Sequence, residues 1–131
     1  MRKSNLMKVL GLFAVASLIS SAPVLAQSLT GPQKQAVRSA EQYLNFKGFS
    51  RNGLIEQLSS DYGSGYSVSD ATAAVDSLNV DWNNQAVRSA KEYLNFMGFS
   101  CKGLIEQLSS RSGSNFTDQQ ARYGARKTSA C

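Results

Sequence analysis

A stretch of 26 residues that occurs twice constrains the fold of this chain more than any other feature. Gln35–Ser60 returns fifty residues later as Gln85–Ser110, and only five of the 26 positions differ between the copies. The copies align without a gap. Because a repeat this close arises from one supersecondary unit used twice, we expect two copies of a small module that pack as neighbours.

Residues 1–26 have the pattern of a cleaved export signal. Basic residues stand at positions 2, 3 and 8, an apolar run follows over Val9–Ile19, and small or aliphatic residues lead up to Ala26. A retained membrane anchor is the alternative, but a spanning helix needs about 20 apolar residues and this run is shorter. Position 27 is Gln27 rather than the cysteine of a lipoprotein. We therefore expect cleavage after Ala26 and a periplasmic or secreted protein with no stable membrane anchor.

Helix-start and helix-stop residues divide each copy into short helices. Thr30 and Pro32 predict the start of the first helix, Gly48 its end, and Ser50 the cap of the second. Residues 67–70 have the capping-box pattern that starts a third helix. The sequence therefore predicts an all-α fold of two tandem three-helix, helix-turn-helix-like modules. The expected units are a signal peptide over 1–26, module 1 over 33–78, a linker over 79–84, module 2 over 85–128 and a tail over 129–131.

Apolar residues at helical spacing mark the faces that should point inward. Phe46 and Phe49 are expected to seal the turn between the first two helices. Tyr62 and Val68 are assigned to the inward faces of the second and third helices, and Met97 to that of the fourth. Trp82, the only tryptophan of the chain, is expected to fill the core between the modules, with an exposed ligand-stacking role as the alternative.

The two cysteines, Cys101 and Cys131, both belong to the second copy. In an exported protein the oxidising surroundings favour a disulfide between them. Two free thiols or an intermolecular bond are the alternatives. The last helix has lost part of its apolar face, with Ala125 where the first copy has Val75. A disulfide to the tail would offset that loss.

The two copies carry opposite charge. Residues 35–78 hold three basic and five acidic side chains, a net charge of −2, whereas residues 85–128 hold seven basic and three acidic ones, a net charge of +4. Three basic residues of the signal inflate the formal charge of the whole chain to +5. That charge is therefore weak support for nucleic-acid binding, and no nucleic-acid partner is expected. In the variant that stays open, DNA crossing the cell envelope meets the basic second module.

No constellation of catalytic residues stands out in the sequence. The chain has no histidine, no cysteine cluster with metal spacing and no glycine-rich phosphate loop, so no cofactor or metal is expected. Glu56 and Glu106 recur at equivalent positions, but a glycosidase-type pair needs a shared cleft that nothing in the sequence provides. The second helix of each module is poor in Arg and Lys, which disfavours a DNA-reading helix. We expect a protein that is not an enzyme.

Polar residues that match between the copies are candidates for a protein-binding face. Common descent of two packing helices would also explain the matches, and both explanations remain open. The candidate partner-binding residues are Arg38, Glu41, Glu56, Gln57, Asp61, Arg88, Glu106 and Gln107.

Two longer strings make the chain similar to a known family. GFSRNGLIEQLSS, residues 48–60, and NVDWNNQAV, residues 79–87, resemble the Ltp-like repeats of host-cell surface-exposed lipoproteins. The resemblance covers residues 33–125. It implies the tandem helix-turn-helix-like fold, no catalysis, and the superinfection exclusion of some prophage-encoded members, whose implied partner is the tape-measure protein of an incoming phage. The chain departs from the family in lacking the lipid-anchoring cysteine and in its basic second module.

Two functional interpretations follow. In the first, the chain is an exported, non-enzymatic protein-binding module that blocks phage DNA entry by engaging the tape-measure protein. In the alternative, it is a secreted or periplasmic structural or adhesive interaction protein without an antiviral role.

Overall fold

The computed structural model describes residues 28–131, and the predicted signal peptide lies outside them. Six α-helices occur in this part of the chain, in two groups of three that we call module 1 (α1–α3) and module 2 (α4–α6). The predicted all-α fold of two tandem three-helix, helix-turn-helix-like modules is confirmed. The helices are α1 Gly31–Phe46, α2 Arg51–Ser59, α3 Val68–Asp76, α4 Trp82–Phe96, α5 Cys101–Ser109 and α6 Asp118–Arg126.

Each helix begins at a side chain that caps its free backbone N–H groups. In all six cases the capping oxygen accepts a hydrogen bond from the backbone N–H three residues further on. Exchanging such a cap for alanine typically costs about 1 kcal/mol. The caps matter here because helices this short are unstable in isolation. The capping residues are Thr30, Ser50, Ser67, Asp81, Ser100 and Thr117.

Each module has its own small hydrophobic core. The second helix of module 1 supplies Leu54 and Leu58, and the equivalent Leu104 and Leu108 serve module 2; all four are fully buried. Trp82, the first residue of α4, packs half-buried against the core of module 1 and so ties α4 to that module. The other buried core residues are Ala36, Ala40, Phe49, Ala71, Ala74 and Val75 in module 1, and Ala86, Ala90, Phe116, Ala121 and Ala125 in module 2.

Four apolar residues predicted to face inward lie on the surface instead. Phe46 is 82% exposed and Tyr62 is fully exposed, and Val68 and Met97 are more than half exposed. All four stand at or beyond a helix end, where the helical period no longer directs a side chain toward the core. Of the two phenylalanines expected to seal the turn between α1 and α2, only Phe49 is buried there.

The third helix of module 2 compensates for its smaller side chains by lying closer to its neighbour. A Cβ atom at Gly124 would lie 2.6 Å from the backbone carbonyl atoms of Ala86 on α4. Module 1 has Ala74 at the equivalent position, and its Cβ atom rules out an equally close approach of α3 to α1. Small residues at the contact between α6 and α4 allow this close approach, because no large side chain separates the backbones of the two helices.

The residue that opens the second helix forms a different cross-link in each module. In module 1, Arg51 pairs with Asp76 at the end of α3, with Nε–Oδ1 at 2.7 Å and Nη2–Oδ2 at 2.8 Å. The guanidinium hydrogen bonds lower the pKa of the Asp76 carboxyl below its ordinary value. In module 2 the equivalent residue is Cys101, whose sulfur lies 2.18 Å from that of Cys131. Both links connect the start of the second helix of a module to the chain at the end of the third helix or beyond it.

Reduction of the Cys101–Cys131 bond should lower the melting temperature. The bond spans 30 residues, and a constraint on a loop of that size contributes about 3–4 kcal/mol. Thermal unfolding followed by circular dichroism, with and without reductant, measures the effect. The control is the double variant Cys101→Ser, Cys131→Ser, which should melt at the lower temperature in either condition. Equal melting of this variant and the oxidised wild type would contradict the prediction.

One serine hydroxyl also differs in its surroundings between the modules. In module 1 the Oγ of Ser39 lies 3.0 Å from the hydroxyl oxygen of Tyr66. Module 2 has Phe116 in place of Tyr66, and the Oγ of the equivalent Ser89 is buried with no hydrogen-bond partner among residues 28–131. A buried hydroxyl without a partner costs free energy. Module 2 therefore carries a penalty that module 1 avoids.

The two serines should respond differently to alanine. Ser39→Ala is expected to lower the free energy of unfolding by about 1 kcal/mol, because the Tyr66 hydroxyl loses its partner. Ser89→Ala is expected to leave it unchanged or to raise it, because an unsatisfied group is removed. Urea unfolding of the two variants side by side measures the difference. Equal losses in both would show that the Ser89 hydroxyl is satisfied in solution.

Candidate functional site at the junction of the modules

The turn between α1 and α2 is the part of module 1 that lies against module 2. We call residues 44–53 the corner of module 1 and the equivalent residues 94–103 the corner of module 2. Gly48, Phe49 and Ser50 of the first corner are all buried. The surface that covers them, which we call the receiving face of module 2, consists of Gln85, Arg88, Ser89 and Glu92 of α4 and Ser114 of the next turn.

Acceptors on α4 satisfy the backbone N–H groups of the corner of module 1. The N–H of Gly48 donates to both carboxylate oxygens of Glu92, at 3.1 Å each. The next N–H, of Phe49, donates to the side-chain oxygen of Gln85 at 3.3 Å. Because these N–H groups lie in a turn, they have no helical partner and depend on module 2 for one.

Arg88 satisfies the carbonyl groups of the same corner. Its guanidinium donates to the carbonyl oxygens of Leu44 and Asn45, the second at 3.2 Å. Both carbonyls belong to the last turn of α1, where helical partners are missing and a positive charge is favoured by the helix dipole. The Nε of Arg88 also donates to Glu92 at 3.1 Å, which holds both side chains in place for the corner.

Gly48 allows the corner to lie directly on the backbone of α4. A Cβ atom at this position would lie 2.5 Å from the Oγ of Ser89 and 2.9 Å from its backbone nitrogen. The hydroxyl of Ser50 donates to the carbonyl of Ser114 and extends the contact to the second turn of module 2. The equivalent Gly98 has nothing within 4 Å of its Cβ position. Gly48 is therefore in close contact with α4, whereas the equivalent Gly98 lies on open surface.

Two clefts lie along this junction. The larger, of about 400 Å³, we call the junction cleft; its lining includes Lys47, Glu56, Tyr62 and Arg111. The smaller, of about 250 Å³, shares Lys47 and is bordered by the ring of Phe96. Charged and aromatic side chains around a concave surface suit the binding of a polypeptide segment.

Three of the eight predicted partner-binding residues are used within the molecule. Arg88 holds the junction, as described above. Gln57 donates from Nε2 to the hydroxyl of Tyr43 at 3.4 Å, and Gln107 donates to Tyr93 at 3.3 Å in the equivalent arrangement. These glutamines brace the second helix of each module against the first.

The other five predicted residues lie on the surface. Arg38, Glu41 and Asp61 are exposed and make no side-chain hydrogen bond or ion pair with any residue from 28 to 131. Glu106 faces a lysine on the same helix, with 3.9 Å between the charged atoms. Glu56 lines the junction cleft. The structure thus brings Glu56 to the junction cleft and Glu106 to a separate cleft between α5 and α6, and it leaves the other three on open surface.

Sequence reasoning missed the exposed aromatic residues. Tyr62, assigned to the core, is fully exposed where it lines the junction cleft. Phe96 is 87% exposed, and its repeat equivalent Phe46 is 82% exposed. The available signal was that a phenylalanine recurs at the last position of both long helices, next to the turn. Large exposed aromatic side chains are enriched in protein interfaces.

Metal-ligating side chains are not clustered in the part of the chain that the structure describes: no three His, Cys, Asp or Glu residues there lie close enough to hold an ion. No helix within residues 28–131 is long and apolar enough to cross a membrane. The side chains that converge at the junction are amides, hydroxyls, charged groups and aromatic rings, whose chemistry suits recognition of another polypeptide.

Comparison with known proteins gives a match to each module. The family described as host cell surface-exposed lipoprotein matches residues 32–78 and again residues 81–126. Among solved structures, that of Ltp, a superinfection exclusion protein from the Streptococcus thermophilus temperate phage TP-J34, is similar with a TM-score of 0.69 and 29% sequence identity. The similarity covers 77% of this chain and 99% of that one. No curated protein sequence matches the chain significantly.

The two equivalent glycines provide a test of the junction. Gly48→Ala should lower the free energy of unfolding by about 1–3 kcal/mol, because the new methyl group overlaps Ser89 and pushes the modules apart. Gly98→Ala adds the same group to open space and should leave stability nearly unchanged. Thermal and urea unfolding of the pair measures this. Similar stability of the two variants would show that the corner does not pack on α4 in solution.

Proposed function

The chain belongs to the host cell surface-exposed lipoprotein family, and from that premise we propose that it is an exported superinfection exclusion protein. In this proposal it acts by binding another protein and catalyses no reaction. The observation that carries the proposal is the similarity to a phage-encoded superinfection exclusion protein over nearly the whole length of that protein. Because the similarity includes both modules, it extends to the arrangement in tandem as well as to the single unit.

The junction cleft is the surface that we propose for the partner. It offers Lys47, Glu56 and Arg111 as charged groups and Tyr62 as an exposed aromatic ring. Tyrosine and arginine are the residue types that most often dominate the energy of protein interfaces. The mixed signs of charge suit a polar polypeptide better than a nucleic acid, whose phosphates would meet Glu56 at the same place.

The partner that fits this role is the tape-measure protein of an incoming phage. A protein that blocks DNA entry must act where the phage particle meets the cell envelope, and we propose that the chain reaches this place by export, with its signal removed after Ala26. After cleavage the chain begins at Gln27 and has no cysteine there to carry a lipid. We therefore place it in the periplasm or the surrounding medium.

Expression in a susceptible host tests the proposed function. We expect phage adsorption to be unchanged and DNA injection to fall, because the protein acts after the particle has attached. Adsorption is measured by depletion of free phage, and injection by delivery of labelled phage DNA into the cell. Normal injection across a broad panel of phages would overturn the proposal.

Matched variants locate the binding surface. The double variant Glu56→Ala, Tyr62→Ala removes two exposed groups of the junction cleft and should abolish exclusion, while Glu106→Ala, the repeat equivalent of the first change, should retain it. Both sets lie on the surface, so melting temperatures should stay near that of the wild type. Full exclusion by the cleft variant would show that the partner binds elsewhere, for example at Arg38, Glu41 or Asp61.

A further inference from the structure

The contact between the modules consists of two complementary halves, and each half occurs again, uncovered, at an opposite end of the molecule. We propose that copies of this chain associate head to tail: the corner of module 2 in one copy docks on α1 of module 1 in the next, as the corner of module 1 docks on α4 within each chain. This association is separate from the binding of a phage protein and does not depend on it.

The corner of module 2 repeats the contact residues of the first corner without change. Its Gly98 and Ser100 are exposed and its Phe99 is half-buried, whereas the equivalent residues of module 1 are buried at the junction. No atom lies within 4 Å of the Cβ position of Gly98, so the space that α4 occupies at the first corner is open here. The contact residues that recur identically are Leu94, Asn95, Gly98, Phe99, Ser100 and Gly103.

A receiving face also recurs on module 1, with one change. Four of its five residues are identical to those of module 2, and Gln42 stands where module 2 has Glu92. All but the half-buried Ser39 are exposed. The residues of this second receiving face are Gln35, Arg38, Ser39, Gln42 and Ser64.

The two uncovered halves have matching chemistry. Arg38 is exposed and makes no side-chain bond within residues 28–131, and the carbonyls of Leu94 and Asn95 stand in the last turn of α4, where helical partners are missing. These are the groups that Arg88 joins to α1 at the internal junction. The side-chain oxygen of Gln42 can accept the N–H of Gly98. It is a neutral acceptor where Glu92 is charged, so this contact is weaker than the internal one.

A second copy can make the polar part of this contact because the hydrogen-bonding groups do not belong to the covalent link between the modules. The packing of Trp82 on the core of module 1 is not repeated, since Pro32 stands at the equivalent position of α1. Every hydrogen bond described between the modules joins the corner of module 1 to α4 or to the turn after α5, and none comes from the linker residues 79–81. Charge also favours the pairing of unlike ends. The docked ends belong to an acidic module, with a net charge of −2, and a basic one, with +4.

The contact joins two different surfaces of the chain. Since the two halves lie at different ends of one chain, the contact is heterologous, and a heterologous contact that does not close into a ring extends into a linear chain of copies. We therefore expect oligomers whose average size rises with concentration and does not stop at a dimer.

Sedimentation velocity of the exported protein, from micromolar to millimolar concentration, tests this inference. The wild type should show a rising average mass. Gly98→Ala and Arg38→Ala should each weaken association by about tenfold or more, because one fills the space for α1 and the other removes the group that binds the carbonyls. Gln42→Glu restores the carboxylate of the internal junction and should strengthen association by about tenfold.

The controls separate this contact from other causes. Gly98→Ala should keep the wild-type melting temperature, so that lost association cannot be assigned to unfolding. A monomeric wild type together with a monomeric Gln42→Glu variant at millimolar concentration would overturn the inference. Association that persists unchanged in both Gly98→Ala and Arg38→Ala would overturn it as well, and would assign the contact to another surface such as the exposed rings of Phe46 and Phe96.

Discussion

The approach of Gly48 to the backbone of α4 is the contact on which the arrangement of the two modules depends. Because no side chain intervenes, the N–H of Gly48 reaches both carboxylate oxygens of Glu92, and Arg88 reaches the end of α1. The same approach covers Phe49, which also belongs to the core of module 1. A separation of the modules would therefore expose a core residue as well as the interface, so the junction and the first core are expected to be lost together.

The repeat preserves the backbone of a module while its cross-links change. Module 1 joins Arg51 to Asp76 by an ion pair, and module 2 places Cys101 and Cys131 at disulfide distance. An exposed ion pair contributes little and is weakened by salt and acid, whereas a disulfide constrains the unfolded chain whatever the ionic conditions. Module 2 thus has the link that salt and acid disturb less.

Local features of the fold were predictable from the sequence. Which of two equivalent residues lies at the junction and which on the surface was not. Helix caps and turns depend on neighbours within a few residues, which is why the three helices of module 1 and their starts could be assigned, whereas α4 begins at Trp82, inside the span expected as a linker. Gly48 and Gly98 have nearly the same local sequence, yet one is buried and the other exposed. Arg38 is likewise exposed, whereas Arg88 is half-buried and bonded to the end of α1. Only the packing of one module on the other distinguishes the members of each pair, and this information is absent from the repeat itself.

Residues that are identical in the two repeats therefore have different roles at the junction and at the ends of the molecule. Internal packing requires one corner and one receiving face, and it accounts for residues such as Gly48 and Arg88. It does not account for the six contact residues of the second corner and the four matching residues of the second receiving face, which are identical to those at the junction although they contact no second module within residues 28–131. Over the same chain the third helices have diverged widely. The matching contact residues that lack a partner module within residues 28–131 are the ones that the proposed head-to-tail association uses.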